Sequence, residues 1–320
     1  MTINNEFTQL VGCRYPLQNA GMGTASPALA YAVAQAGGLG TLSGVGPSPE
    51  QLEEIVSGPQ VPNDGLLAIN FLMPFLEDLS VIDIVAKHVR VVEFFYGEPQ
   101  EECVKRVHDG GALASWQVGS LEEAKQAVAA GCDLVALQGV EAGGHVRGTR
   151  GLFSLLAEVR ESVSVPIIAA GGIGTPRTAA MALACGAQAV RVGTRFVATH
   201  ESGYHPEYIQ AIVDANGDAT EYTEKFSVMW EDAPQRVLRA SIEAAEKTRD
   251  EIVATIKFGD ATVDVPKFSF FAPTVDTKGD ISAMAQYCGQ GVGMINDVRH
   301  AADVVIELMD GAEKLLAKGL

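Results

Sequence analysis

The sequence predicts an α/β fold of the (β/α)₈, or TIM, barrel type, with an inserted, mostly helical cap segment after the eighth strand. Two observations lead to this prediction. Between Tyr15 and Val197, eight short apolar segments alternate with helical segments, which is more strands than a doubly wound sheet usually has. Several are unbroken apolar runs, as is typical of parallel strands covered on both faces. The predicted strands are Pro16–Asn19, Leu39–Leu42, Leu66–Leu72, Val91–Tyr96, Ala112–Gln117, Leu134–Gln138, Pro166–Ala170 and Ala189–Phe196.

Helix-start and helix-end signals lie between these strands. Ser26–Pro27 has the pattern of an N-cap followed by a proline at the first helical position. Thr175–Pro176 has the same pattern, before a helix that Gly186 should end. Ser48–Gln51 and Ser120–Glu123 fit capping boxes. Each signal follows a predicted strand, so together they indicate a repeated strand–helix unit.

The apolar pattern changes after the eighth predicted strand. We expect residues 1–201 to form the barrel core and residues 202–279 to form a cap or insertion over the barrel mouth. That insertion should contain two weak helices, Pro206–Ala215 and Pro234–Thr255, separated by Pro- and Asp-rich stretches. Residues 280–320 should return to the barrel and end in a helix over Val298–Lys318.

The charge and composition of the chain limit its partners. The formal net charge is -17, and 47% of the residues are hydrophobic. An acidic surface repels nucleic acid and anionic membranes, so we expect neither as a partner. The sequence shows neither a secretory leader nor an apolar run long enough to cross a bilayer, which predicts a cytoplasmic protein. Its five cysteines are widely spaced, which argues against a disulfide framework.

The clearest active-site signal lies in Leu134–Arg147. An apolar strand ends at Gln138, and Gly143 and Gly144 then precede His145. Glycine lets the backbone approach a ligand closely, and histidine is the side chain whose proton exchanges near neutral pH. The pattern predicts a catalytic histidine at the strand ends. The alternative is a histidine that caps a loop through nearby carbonyl groups.

A second signal comes from the last two predicted strands. The seventh strand ends in Gly171 and Gly172, and the eighth ends in Gly193–Thr194. Barrels of this type often bind a phosphate with the loops after strands seven and eight, through backbone N–H groups. We therefore predict a phosphate site there, with Arg191 or Arg195 as a source of positive charge. Ordinary turn glycines are the alternative.

Weaker signals complete the set. Asn70 ends the third predicted strand, where its amide could hydrogen-bond a heterocyclic ring. The spacing of His200, Glu201 and His205 is not that of a zinc-binding helix, so we predict no metal site. Trp230 is expected to pack in the core or the cap rather than to serve as a stacking platform.

Four motifs together resemble the nitronate monooxygenase family, formerly called 2-nitropropane dioxygenase, which includes flavin-dependent enoyl-ACP reductases. They are Gln-Gly-Val-Glu-Ala-Gly-Gly-His at 138–145, Ala-Ala-Gly-Gly-Ile at 169–173, Gly-Thr-Arg-Phe at 193–196 and Ala-Gly-Gly-Leu-Gly at 36–40. The similarity spans roughly Tyr15 to Ser202 and resumes over Gly279–Val298. The chain departs from many members at Asn19–Met22, which reads Asn-Ala-Gly-Met instead of Gln-Ala-Pro-Met.

The resemblance implies an FMN-dependent oxidoreductase that oxidises alkyl nitronates with O₂ to a carbonyl compound and nitrite. His145 would act as the base or as a substrate-binding group. The residues implied to contact FMN are Gly21, Met22, Asn70, Gln138, Gly143, Gly171, Gly172, Arg191, Val192, Gly193 and Thr194.

Two other functions remain open from the sequence. An NAD(P)H-dependent flavin reductase of an enoyl thioester or a quinone would share the fold, the flavin site and the histidine. A barrel that binds a phosphorylated metabolite without redox chemistry is an alternative of another class. The partners expected are thus a small-molecule substrate, with O₂ or NAD(P)H as co-substrate. The exposed faces of the final helix could also serve as a homo-oligomer interface.

Overall fold

A computed structural model of the protein describes residues 3–63, 66–258 and 261–319. Eight of its strands form one parallel sheet. These strands are β1 (Leu17–Asn19), β2 (Gly40–Ser43), β3 (Leu67–Leu72), β4 (Val91–Phe95), β5 (Leu113–Val118), β6 (Leu134–Gln138), β8 (Ile167–Ala170) and β9 (Ala189–Val192). The remaining strands are β7 (Gly144–His145), β10 (Thr220–Thr223), β11 (Gln235–Leu238), β12 (Ile252–Phe258), β13 (Ala261–Pro266) and β14 (Lys278–Gly279).

The α-helices lie mostly between the strands of the large sheet. They are α1 (Glu6–Val11), α2 (Pro27–Gln35), α3 (Pro49–Ser57), α4 (Ser80–Val85), α5 (Glu101–Asp109), α6 (Leu121–Ala129), α7 (Leu152–Arg160), α8 (Pro176–Ala184), α9 (Thr194–Val197), α10 (Pro206–Asp214), α11 (Arg239–Lys247) and α12 (Ala301–Ala317).

The large sheet closes on itself as the predicted barrel does. Its strands follow the order β1-β9-β8-β6-β5-β4-β3-β2, and a parallel bridge between Gln18 and Leu39 brings the two edges together. The (β/α)₈ barrel is therefore confirmed, and all eight predicted strands are present. The eighth was predicted too long, because it ends at Val192 instead of Phe196. The Phe196 N–H donates to the Gly193 carbonyl (2.8 Å), which turns this stretch into the short helix α9.

The helix-start signals act as predicted, with one difference. Ser26, Ser48 and Thr175 each accept a backbone N–H of the following helix, and capping boxes form at Ser48 and Thr175. Ser120 also accepts the Glu123 N–H, but the Glu123 carboxylate accepts from the Gly119 N–H (2.7 Å) instead of closing the box. The N-cap at Ser120 therefore forms, but the Glu123 side chain bonds to the N–H of Gly119 and not to that of Ser120, as a capping box would require.

The alternation of each strand divides the barrel interior into layers. The bottom layer is apolar and includes Ala68 and Val91, which pack against Phe7 of α1. Two residues farther along the strands the interior becomes polar, with Glu93 on β4 and Arg191 on β9. Residues between these positions face outward into the main core between sheet and helices, which holds the largest cluster of buried apolar side chains.

The inserted segment differs from the prediction. It was expected to be mostly helical, but besides α10 and α11 it contains the five strands β10 to β14. Together with β7 of the barrel, these strands form two three-stranded sheets, β10-β11-β7 and β13-β12-β14. The stretch expected as one helix over Pro234–Thr255 is a strand, a helix and the start of another strand. In one sheet, β11 pairs with β7, so the segment is hydrogen-bonded to the barrel loop that carries His145. The division at residues 201 and 279 stays a prediction.

Two further expectations concern the whole chain. All five cysteines, which lie within the described ranges, are free thiols, four of them buried. No helix in the part of the chain that the structure describes is long and apolar enough to span a membrane.

Candidate active site

One large cavity lies at the carboxyl ends of the barrel strands, beneath the inserted segment. The empty space between its lining residues measures about 1390 Å³, including the part that is open to solvent. Except for Val192, every residue that the sequence singled out for catalysis or cofactor binding lines it. These are Gly21, Met22, Asn70, Gln138, Gly143, His145, Gly171, Gly172, Arg191, Gly193 and Thr194.

Val192 lies outside the cavity because of strand alternation. Its neighbour Arg191 points into the barrel, so the Val192 side chain points outward and packs in the core between sheet and helices. Only the backbone of Val192 remains available on the inner side, and its carbonyl accepts from the Ala20 N–H (2.9 Å). A contact between Val192 and FMN, which stays a prediction, would therefore involve the backbone of Val192 rather than its side chain.

Glycines shape the wall next to β8 and the loops that meet there. Gly171 and Gly172 have φ values of +123° and +65°, which residues with a Cβ rarely adopt. A Cβ on Gly143 would lie 2.4 Å from the Gly289 backbone nitrogen, and a Cβ on Gly21 would lie 2.5 Å from Asn70 Cβ. Gly143 and Gly21 therefore have no room for a side chain, whereas Gly171 and Gly172 are required by their backbone conformation.

Two side-chain amides on neighbouring walls are held in fixed orientations. Asn70 Nδ2 donates to Glu93 Oε1 (2.8 Å), and Gln138 Nε2 donates to the His145 carbonyl (2.9 Å). The carbonyl end of each amide is left for another partner. Gln138 Oε1 is buried and accepts no hydrogen bond from any described residue. An unpartnered buried acceptor indicates a missing donor, such as a ring N–H of a ligand.

The two arginines predicted to supply charge are both already paired. The Arg191 guanidinium is buried in the barrel, where it contacts Glu93 and the amide oxygens of Gln18 and Gln117. Arg195 Nη1 donates to Asp297 (3.0 Å). However, Arg195 Nε is buried at the cavity and has no partner among the described residues. Arg195 thus retains one donor for an anionic group, whereas the charge of Arg191 is neutralised within the barrel.

His145 lies beside a group of aromatic side chains that line the cavity, Trp230, Phe270, Phe271 and Tyr287, which we call the aromatic wall. Its ring stacks on Trp230 with a centroid distance of 3.9 Å, and Tyr287 and Tyr96 lie at 5.4 and 6.2 Å. Burial lowers the pKa of His145 to about 3, because the charged form would lose its hydration. The imidazole is therefore neutral at physiological pH, with one donor and one acceptor nitrogen.

Sequence reasoning missed most of this aromatic wall. Trp230 was expected to pack, as it does, but its packing partner is the candidate catalytic histidine. Phe270, Phe271 and Tyr287 also line the cavity and were not singled out. All four come from the inserted segment or the residues directly after it, and no periodicity in the sequence places these residues over the barrel.

The weak cluster at His200, Glu201 and His205 does not form a metal site. Glu201 accepts from the Ala301 N–H and pairs with His300 Nδ1, both at 2.9 Å. His205 is the N-cap of α10, where its Nδ1 accepts from the Glu207 N–H. Within the described ranges, no group of three or more His, Cys, Asp or Glu residues could hold a metal ion.

Comparisons with known proteins agree with this architecture. The chain is 34% identical over 203 residues to (3aS,4S,5R,7aS)-5-hydroxy-7a-methyl-1-oxo-octahydro-1H-indene-4-carboxyl-CoA dehydrogenase of Rhodococcus jostii, a match that spans 63% of this chain and 57% of that protein. It is 31% identical over 268 residues to a probable nitronate monooxygenase of Bacillus subtilis, covering 70% of this chain and 77% of the relative.

Solved structures resemble the chain over nearly its full length. FabK from Thermotoga maritima has a TM-score of 0.83 at 27% identity, covering 99% of this chain and 98% of that one. Nitroalkane oxidase from Streptomyces ansochromogenes has a TM-score of 0.76 at 27% identity, covering 99% and 100%. The profile of the family described as nitronate monooxygenase matches residues 66–311. The chain therefore belongs to the nitronate monooxygenase family of oxidoreductases.

Proposed function

We propose that this protein is an FMN-dependent oxidoreductase that oxidises alkyl nitronates with O₂ to a carbonyl compound and nitrite. The observation that carries the proposal is the meeting, in one cavity, of a buried neutral imidazole with glycine bends and unpartnered polar atoms suited to a flavin nucleotide.

The residues of the cavity fit FMN. Gln138 Oε1 would accept from a ring N–H, and Asn70, whose amide nitrogen donates to Glu93, has its amide oxygen left to accept from a ligand. Arg195 Nε and the backbone N–H groups near Gly172 and Gly193 would hold the phosphate. When bound there, FMN would supply the electron acceptor for the oxidation.

His145 is better suited to bind the substrate than to remove its proton. A general base works best when its pKa is near the operating pH, and burial holds the pKa of His145 at about 3. A neutral imidazole can still donate its N–H to an oxygen of the nitronate group. Of the two roles that the family resemblance implies, the substrate-binding role is therefore the one we assign to His145.

The aromatic wall would hold the alkyl part of the substrate. Trp230, Phe270 and Phe271 present apolar surface to the cavity opposite the polar barrel interior. This surface excludes water and gives the alkyl chain a favourable environment. We therefore expect the substrates to be nitronates whose alkyl chains are apolar, rather than nitronates whose chains carry a charged group.

The test measures flavin content and nitrite together. We expect the purified protein to be yellow or to bind added FMN, and to release nitrite from alkyl nitronates in air. The His145→Ala variant should retain FMN and lose about 10²- to 10³-fold in kcat, as is typical when one donor to a developing charge is removed. A flavin-loaded enzyme that releases no nitrite from any nitronate would contradict the proposal.

A second candidate is an NAD(P)H-dependent flavin reductase of an enoyl thioester. Two observations favour it. The cationic side chains that line the described cavity, Arg191 and Arg195, are both ion-paired, and a neutral enoyl group needs no cation. The relative from Rhodococcus jostii is named a carboxyl-CoA dehydrogenase.

Rapid anaerobic mixing with NADH or NADPH separates the two functions. Fast loss of the visible flavin absorbance would support the reductase, and loss with nitronate alone would support the monooxygenase. A colourless protein that cannot be reconstituted with FMN would instead support a barrel that binds phosphorylated metabolites without redox chemistry.

A further inference from the structure

The strand that carries His145 is paired with a strand of the inserted segment. β7 runs antiparallel to β11, and the register places His145 opposite Gln235 and Gly144 opposite Arg236. Cross-strand neighbours in a sheet have their side chains on the same face. Gln235 is therefore a direct side-chain neighbour of the candidate catalytic histidine.

The hydrogen-bond pattern shows which kind of pair this is. The Val146 N–H donates to the Pro234 carbonyl (2.8 Å), and the His145 carbonyl accepts from Gln138 Nε2 instead of from β11. His145 and Gln235 thus form a non-hydrogen-bonded pair, in which the two backbones approach most closely and the side chains are nearest.

The facing side chains carry polar atoms that lack partners. His145 Nε2 and both amide atoms of Gln235 are buried, and none of the three forms a hydrogen bond within the described part of the chain. The Gln235 side chain is fully buried. On its other side, β10 places Thr223 opposite Gln235, and the Thr223 hydroxyl already accepts from the Lys225 N–H (3.2 Å). Buried polar groups are rarely left unsatisfied, so these atoms indicate a shared contact.

We propose that Gln235 is a positioning residue: its side-chain amide, which has no partner in this structure, donates to His145 Nε2 in the FMN-loaded protein, directly or through one buried water, and so holds the imidazole proton on Nδ1. Nε2 is sealed from solvent, which leaves Nδ1 as the nitrogen available to a substrate in the cavity. In a neutral histidine, the hydrogen bond made by one nitrogen fixes whether the other is a donor or an acceptor. The inference rests on the proposed role of His145 as a donor to the substrate.

Glutamine suits this position for a physical reason. The amide offers both N–H and C=O, so after satisfying Nε2 it can still take a water or Thr223 as a second partner. A carboxylate in the same place could only accept, and would move the proton to Nε2. An apolar side chain would leave the choice of tautomer to the ring itself.

The test reads the tautomer of His145 in the full-length, FMN-loaded protein by NMR with ¹⁵N-labelled histidine. The resonance of His145 is assigned from its loss in His145→Gln. In the native protein we expect a protonated Nδ1 and an unprotonated Nε2. Gln235→Met, which nearly conserves length and volume, should shift the population toward the Nε2–H form, and Gln235→Glu should shift it nearly completely.

The matched control is Gln286→Met. Gln286 is also buried, but its amide donates to the Ile281 carbonyl (3.2 Å) and it does not lie opposite His145. This variant should leave the His145 signals unchanged. Unchanged His145 nitrogen shifts in Gln235→Met, with a native circular dichroism spectrum and native FMN content, would overturn the inference.

Turnover provides a second readout. If nitronates are substrates, Gln235→Met should lower kcat about ten- to a hundredfold, by analogy with the loss of a hydrogen-bond partner of a metal-binding histidine, with FMN binding unchanged. If nitronates are not substrates, the tautomer measurement still tests Gln235. A failure of the proposed function and a failure of this inference are therefore distinguishable.

Discussion

The buried pair of Glu93 and Arg191 gives the sharpest test of how the polar interior of the barrel is stabilised. Both side chains are nearly inaccessible, with 0% and 3% exposed. Glu93 also accepts from Asn70 Nδ2 and from the Ser115 hydroxyl (3.3 Å). Glu93→Gln conserves the shape of the side chain but leaves the Arg191 charge without a counter-ion in the barrel.

The expected cost follows from desolvation. Removing one partner of a buried ion pair destabilises a protein by about 3–5 kcal/mol, because the other charge stays buried and uncompensated. Removing both charges costs much less, so the double variant Glu93→Gln/Arg191→Met should be more stable than Glu93→Gln alone. Such non-additivity is the signature of a direct interaction in a double-mutant cycle.

Urea unfolding followed by circular dichroism measures these free energies. The matched control is Asp109→Asn, which breaks a pair with Lys105 whose side chains are 64% and 73% exposed. Exposed pairs contribute about 0–1 kcal/mol, so the control should differ little from the native protein. If Glu93→Gln costs no more than Asp109→Asn, or if the double variant is simply the sum of the single ones, the reasoning is refuted.

Three further predictions concern the cavity. The pKa of His145 is about 3 in the folded protein and about 6.5 in the unfolded chain. Between pH 6.5 and pH 3, the unfolded state therefore binds a proton that the folded state does not. Stability should therefore fall as the pH drops from 6.5 toward 3, by up to about 1.4 kcal/mol per pH unit, and urea titrations of His145→Gln should lack this contribution. Gly21→Ala places a Cβ 2.5 Å from Asn70 Cβ and should weaken FMN binding at least tenfold in a fluorescence titration. Gly217→Ala, which lies outside the cavity and whose Cβ would meet the Gln290 carbonyl oxygen at an ordinary 3.6 Å, should bind FMN normally. Trp230→Leu removes the ring stacked on His145 and should raise KM for long-chain nitronates in a nitrite assay more than for short-chain ones; equal effects would argue against the aromatic wall as the alkyl site.

The barrel itself could be predicted because its signals are local. Unbroken apolar runs, N-cap residues such as Ser48 and a positive-φ glycine at Gly186 each act within a few residues of where they stand. The inserted segment could not be predicted in the same way. β11 is a strand because it pairs with β7 and β10, and β7 lies about 90 residues earlier in the chain. No pattern within Gln235–Leu238 carries that information.

In the candidate site, too, features set by local sequence could be predicted, whereas features set by contacts between distant residues could not. Glycine bends and His145 were readable as motifs, and all but one of the singled-out residues line the cavity. The outward orientation of the Val192 side chain could also have been predicted, because an inward Arg191 requires an outward neighbour. The neutralisation of Arg191 could not have been foreseen, since Glu93 lies on a different strand, 98 residues away.

The inserted segment is attached to β7, and this attachment determines what changes when the segment is replaced by that of another protein. Beyond the strand pairing, Arg236 donates twice to the Val140 carbonyl, at 3.1 and 2.9 Å. A segment anchored in this way is part of the framework that holds His145 in place, rather than a separate unit attached to the barrel. Replacing it with the corresponding segment of a relative would re-aim the imidazole as well as reshape the walls, so reactivity and substrate range should change together in such chimaeras.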